Sequence, residues 1–198
     1  MPMESFLPML ALALAAAWTP GPNNALLAAS GARFGLRQTM PHVLGVGLGF
    51  PVMVLIVGLV LAQAFQTSQW LQQGLKWGGA ALLLWMGWKI ATAGRPGQRT
   101  ATERPFSFLG AAAFQWINPK GWVMAVSITS LYLSRAAPVQ TAAIIAGTFV
   151  LAGLSSAFGW AWLGQLLSRW LGDGPRLRLF NLVMGAMVAM GAAALFLE

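Results

Sequence analysis

Thr19-Pro20-Gly21-Pro22-Asn23-Asn24 interrupts one apolar stretch near its middle, and Ile117-Asn118-Pro119-Lys120-Gly121 interrupts another. Pro20 and Pro119 stand half a chain apart in a sequence of 198 residues. Proline removes a backbone donor and asparagine competes for backbone partners, so breaks of this kind inside membrane-length runs leave groups that lipid cannot satisfy. They are tolerated where protein or a water-filled cavity surrounds them. Paired interruptions at matching places in two halves point to the substrate site of a transporter.

Working outward, the composition agrees with a membrane setting. Hydrophobic residues are 58% and charged residues 8%, against roughly 45–50% and about 25% in an average soluble domain. The chain reads as an integral membrane protein of one domain over residues 1–198. With no cysteine, disulfides and thiolate chemistry are excluded. The net charge of +8 is accounted for by membrane orientation, so no nucleic-acid partner is expected. The apolar start ends in an Ala-x-Ala-like pattern, but it has Glu4 and no basic residue in its n-region, and the apolar run resumes after the break. It is read as a span and not as a cleaved signal peptide.

Six stretches are long and apolar enough to span: 5–30 with the first break inside it, 41–64, 71–91, 106–133 with the second, 139–167, and 177–197. The first, third and fifth loops carry Arg33 and Arg37, then Lys89, Arg95, Arg99 and Arg104, then Arg169, Arg176 and Arg178. The opposite side has Lys76 and Arg135. By the positive-inside rule the odd loops face the cytoplasm and both termini face outward.

Three spans per half set the second half in the opposite orientation to the first. The expected fold is therefore all-α, six transmembrane helices in two inverted three-helix repeats over about 1–98 and about 105–198, with helices one and four broken near the midplane. The third stretch, Lys76-Trp77-Gly78-Gly79-Ala80-Ala81-Leu82-Leu83-Leu84-Trp85-Met86-Gly87, shares a small-residue texture with Gly185, Ala186, Ala189, Gly191 and Ala192 in the sixth. Gly45 with Gly49, and Gly74 with Gly78, have the four-residue spacing of close helix contacts, either within the bundle or between copies.

The first break lies about 20 Å along its span and Lys120 about 21 Å along the other, at ~1.5 Å rise per residue. Both are inside a hydrocarbon core ~30 Å thick. A central lysine costs about 2.5–3.5 kcal/mol to insert, so Lys120 is expected to face the interior. Its partners would be carbonyls freed by Pro119, side-chain oxygens of Gln115 or Asn118, or a substrate carboxylate. The half-helix after the first break directs its partly positive end back into the gap, which also suits a carboxylate. The candidate substrate-binding set is Thr19, Pro20, Gly21, Pro22, Asn23, Asn24, Gln115, Asn118, Pro119 and Lys120. His42, the single histidine, is a candidate for proton coupling, with a solvated interfacial histidine as its plainer reading. No metal or cofactor site is indicated.

These residues carry a resemblance to the LysE/RhtB family of amino-acid exporters. The likeness lies in Thr19–Asn24 followed by Gly31-Ala32-Arg33-Phe34-Gly35, in the Lys76–Trp88 block, and in Phe114-Gln115-Trp116-Ile117-Asn118-Pro119-Lys120. Asn23-Asn24, Trp85-Met86-Gly87-Trp88-Lys89-Ile90-Ala91-Thr92 and residues 158–169 are most similar to the cysteine and O-acetylserine exporter branch. The resemblance implies export of small neutral amino acids, cysteine/O-acetylserine-like or homoserine/threonine-like, across a bacterial inner membrane by proton exchange, from a homodimer surrounded by lipid. A rival class, a small intramembrane acyltransferase, would need a nucleophile or base beside a cleft. A channel would need a continuous polar path. Two isolated breaks fit gated access better, and an enzyme is not expected.

Overall fold

A computed structural model describes residues 3–61, 68–93, 104–172, 174–194 and 196. Residues 62–64 of the second expected span, the loop arginines Arg95 and Arg99, and the end of the sixth span at 195 and 197 lie outside the described residues. Among the described residues the chain is all-helical, with eight helices. These are α1 (Met3–Trp18), α2 (Pro22–Phe34), α3 (Leu36–Ile56), α4 (Gln69–Ala91), α5 (Phe108–Gln115), α6 (Pro119–Tyr132), α7 (Pro138–Leu171) and α8 (Pro175–Ala194). A π-helical turn, Val57–Leu61, prolongs α3.

Both apolar stretches that carry a break are divided into two helices, α1 with α2 and α5 with α6. Pro22 and Pro119 each stand in the first turn of the helix that follows, where a missing N–H costs nothing and the fixed φ is already helical. By length and composition three described helices can cross a membrane: Leu36–Val60, Pro138–Ser168 and Pro175–Ala193. Six spans are expected from the sequence, the first and fourth of them broken. The first and fourth stretches are short helices in tandem, and α4 is diluted by Gln69, Gln73, Lys76 and Lys89.

The short helix α2 is the buried centre of the bundle. It packs on α7 and α8, and its residues Asn24, Ala25, Leu26, Leu27, Ala28, Ser30, Gly31 and Ala32 are buried. The approach to α7 is backbone to backbone: a Cβ on Gly31 would fall 1.9 Å from the Ala161 carbonyl oxygen, and one on Gly164 2.0 Å from that of Ala28. Gly35 (φ 77) turns the chain from α2 directly into α3, a left-handed conformation that glycine adopts freely. The exposed start of α3 is capped from α7, where the Gln165 Oε1 accepts from the Leu36 N–H.

Two further small-residue seams complete the bundle. Gly45 and Gly49 lie against Phe108, Ala111 and Ala112 of α5, so this pair seals the interior. Gly87 of α4 and Gly185 of α8 meet each other's carbonyls, so the two stretches of shared texture face one another. Among the described residues, Gly74 and Gly78 meet nothing within 4 Å and lie on an open face of α4.

Candidate functional site

Where α1 stops at Trp18, its last carbonyls have no intrahelical N–H ahead of them, and Pro20 and Pro22 in the connection have no N–H to give. Side chains from elsewhere in the fold take over. Asn24 Nδ2 donates to the Ala17 and Thr19 carbonyls, at 2.9 Å in each case. Ser156 Oγ of α7 donates to Ala17 O at 2.7 Å, and Lys120 Nζ of α6 donates to Thr19 O at 3.1 Å. The lysine of one break is therefore held by a carbonyl of the other. Of the partners expected from sequence, this differs from the protein groups named, the carbonyls freed by Pro119 and the oxygens of Gln115 or Asn118, and it leaves the substrate carboxylate as the remaining expectation.

A second cross-link joins the breaks through side chains. Asn23 Nδ2 donates to Gln115 Oε1 at 2.8 Å, while Gln115 Nε2 is anchored on the Ala111 carbonyl at 2.8 Å. Gly21 lets these contacts form. Its backbone is extended, and a Cβ there would sit 3.2 Å from Lys120 Nζ.

Between the breaks lies a cavity of about 60 Å³. Gly21, Pro22, Asn23, Asn24, Gln115, Asn118 and Lys120 line it, so seven of the ten expected residues are brought together. Thr19 contributes its carbonyl, while its hydroxyl turns back to Ala15 O. Pro20 is exposed and outside the lining. Pro119 opens α6. The walls missed by sequence reading are Phe50 of α3 and Phe149 of α7, in edge contact at 5.1 Å, together with Ser156. The Ser155-Ser156 pair within an apolar helix was the available signal.

The electrostatics of the cavity are one-sided. The N-terminal ends of α2 and α6 both border it, each equivalent to roughly half a positive charge, and the Lys120 ammonium adds a full one. Asp and Glu are absent from its described lining. Asn118 also lines the cavity, 2% exposed, and its Oδ1 is an acceptor with no hydrogen-bond partner among the described residues. Buried acceptors are seldom left unmade, at about 1–3 kcal/mol each. The arrangement offers donors to an anionic group and an acceptor to a cationic one, the two ends of an amino acid.

His42 is elsewhere. It is 1% exposed, against the expectation of a solvated interfacial histidine, and its ring packs 5.1 Å from that of Phe106. It lines a different cavity, of about 630 Å³, and its Nδ1 is unpartnered among the described residues. Phe106 in turn stacks toward Phe114 at 6.0 Å.

The chain has known relatives. A family model described as LysE type translocator matches residues 14–198. The chain is 30% identical over 186 residues to a cysteine/O-acetylserine efflux protein of Escherichia coli O1:K1 / APEC, covering 92% of this chain and 93% of the relative. It is 29% identical over 187 residues, with the same coverage, to proteins of that name from Escherichia coli strain K12 and from Shigella flexneri. No solved structure matches it.

Proposed function

This chain belongs to the LysE type translocator family, and from that premise we propose that it is a secondary exporter of small neutral amino acids or their derivatives, resident in a bacterial inner membrane. The cargo is cysteine- or O-acetylserine-like, as the names of the relatives suggest, with homoserine- or threonine-like compounds as the neighbouring class. The molecule acts as a carrier and not as an enzyme. The carrying observation is that two chain breaks, distant in sequence, are tied across one cavity by Lys120 to Thr19 O and by Asn23 to Gln115.

In this reading the carboxylate of the cargo is received by Lys120 and the free amides at the start of α2 and α6. The ammonium is received by Asn118 Oδ1. A cavity of about 60 Å³ holds only a few waters at ~10–15 Å³ each. The form described is therefore contracted, and admission of cargo parts the two cross-links. Six spans in two inverted repeats, with α1–α2 and α5–α6 as the broken members, rock about this point to alternate access. Both termini face the periplasm, and outward movement of cargo is driven by proton exchange, with His42 as a proton carrier. A second copy of the chain, the implied partner, has an open face available at Gly74 and Gly78.

The test is counterflow of O-acetylserine, cysteine, homoserine and threonine in proteoliposomes. The expected result is saturable exchange of one of these classes by the native chain, stimulated by an opposing proton gradient. Loss of at least tenfold is expected in Lys120→Met, with insertion unchanged. Undiminished exchange by that variant would remove Lys120 from the site.

A further inference from the structure

The larger cavity is built on a different principle from the first. Arg33 near the end of α2, Lys89 near the end of α4 and Arg104 ahead of α5 all line its volume of about 630 Å³, within the ~300–1,000 Å³ range of small-molecule sites. Asp and Glu are absent from its described lining. Orientation in a membrane accounts for cations in each of these loops, but does not require that they border one cavity. Cationic side chains at the walls of a partly enclosed space give it a positive potential, and focusing by low-dielectric walls deepens the field. An anion suits such a space.

Two more observations point to a ligand. His42, 1% exposed, borders the same space, and its buried Nδ1 has no hydrogen-bond partner among the described residues. Apolar surface completes the walls, from Trp88, Ile90 and Phe106. The amino acid proposed for the break cavity fits poorly here, because its ammonium would enter the field of three cations. A group with only negative charge, several acceptor oxygens and a tolerance for apolar neighbours fits well.

We propose that this cavity is a phosphate site, formed by Arg33, Lys89 and Arg104 with His42 at its wall, which takes the phosphate of an anionic phospholipid headgroup or of a soluble phosphate compound. Arginine and lysine both bind phosphate through charge-assisted hydrogen bonds. Basic pockets between membrane helices take lipid headgroups by the same chemistry. The assignment does not depend on what the break cavity carries.

Thermal unfolding of the purified protein in neutral detergent, followed by tryptophan fluorescence, tests it in two arms. One arm adds phosphatidylglycerol against phosphatidylcholine, and the other adds inorganic phosphate against chloride at equal ionic strength. Saturating ligand raises Tm by several degrees, in the first arm alone for a headgroup site and in the second for a soluble phosphate. The Lys89→Gln/Arg104→Gln variant, altered at two exposed side chains, should fold and lose the rise. Single Lys89→Gln, which should lose most of it, serves if the pair does not fold. Arg176→Gln, whose guanidinium lies over Trp170 outside the cavity, should keep it. No rise in either arm, or a rise that survives loss of both Lys89 and Arg104 charges, overturns the proposal.

Discussion

Lys120 shows how one side chain joins sequence, fold and site. An ammonium within an apolar stretch needs oxygen partners, and the fold supplies one from a carbonyl left over where α1 ends. Gly21 leaves the room for it. An alanine at 21 would put a methyl carbon 3.2 Å from Nζ and 3.3 Å from Cδ of Lys120, closer than ordinary contact. Gly21→Ala is expected to shift the lysine off Thr19 O and to lower counterflow several-fold while the purified protein retains its unfolding temperature within a few degrees. The Asn23 to Gln115 bond is amenable to a double-mutant cycle. Replacing each by alanine, singly and together, should reveal a coupling of about 1 kcal/mol in denaturant unfolding, since both partners lose one well-made hydrogen bond.

At the scale of elements, α2 can occupy the middle of the bundle because its neighbours have no side chains where it passes. Gly31 and Gly164 approach carbonyls of the opposite helix so closely that a Cβ at either would overlap them. The obstruction is backbone, which cannot rotate away. Gly164→Leu should therefore destabilise by about 1–3 kcal/mol or more, visible as a lowered midpoint of thermal unfolding or as failure to insert. Gly74→Leu is the matched control: among the described residues its Cβ meets nothing within 4 Å, and the fold of a single chain should tolerate it. The sequence treated Gly45 with Gly49 and Gly74 with Gly78 as equivalent pairs. Spacing alone marks a face on which a helix can be approached, but which helix arrives there depends on partners remote in sequence.

For the whole molecule, orientation is the property most directly testable, and the lack of cysteine makes it simple. Ala136→Cys lies between α6 and α7, and Gly174→Cys, at a site where a Cβ meets nothing within 4 Å, lies just before α8. A membrane-impermeant maleimide added to intact cells should label the first and spare the second until the membrane is opened. The reverse pattern would invert the proposed orientation. The larger cavity belongs to this scale as well, since its cations come from three separate segments.

Much of this was legible before any coordinates. The two breaks, their half-chain spacing and the apolar runs around them follow from residue identity, because proline cannot donate and lipid cannot accept in its place. Seven of the ten residues read as site residues do line one cavity. Their cross-links were not legible: Ser156, Phe50 and Phe149 approach the first break from helices far along the chain, and Thr19 O is a backbone atom whose partner no side-chain identity reveals. His42 was misjudged as solvated for the same reason, as Phe106 covers it from another segment. The sequence by itself determined where the backbone must leave the helix and which polar groups go into the apolar interior, since those are local consequences of side-chain chemistry. Only the tertiary structure decided which orphaned carbonyl meets which donor, and which loops share a cavity, because those depend on distances between helices that pack through their smallest residues.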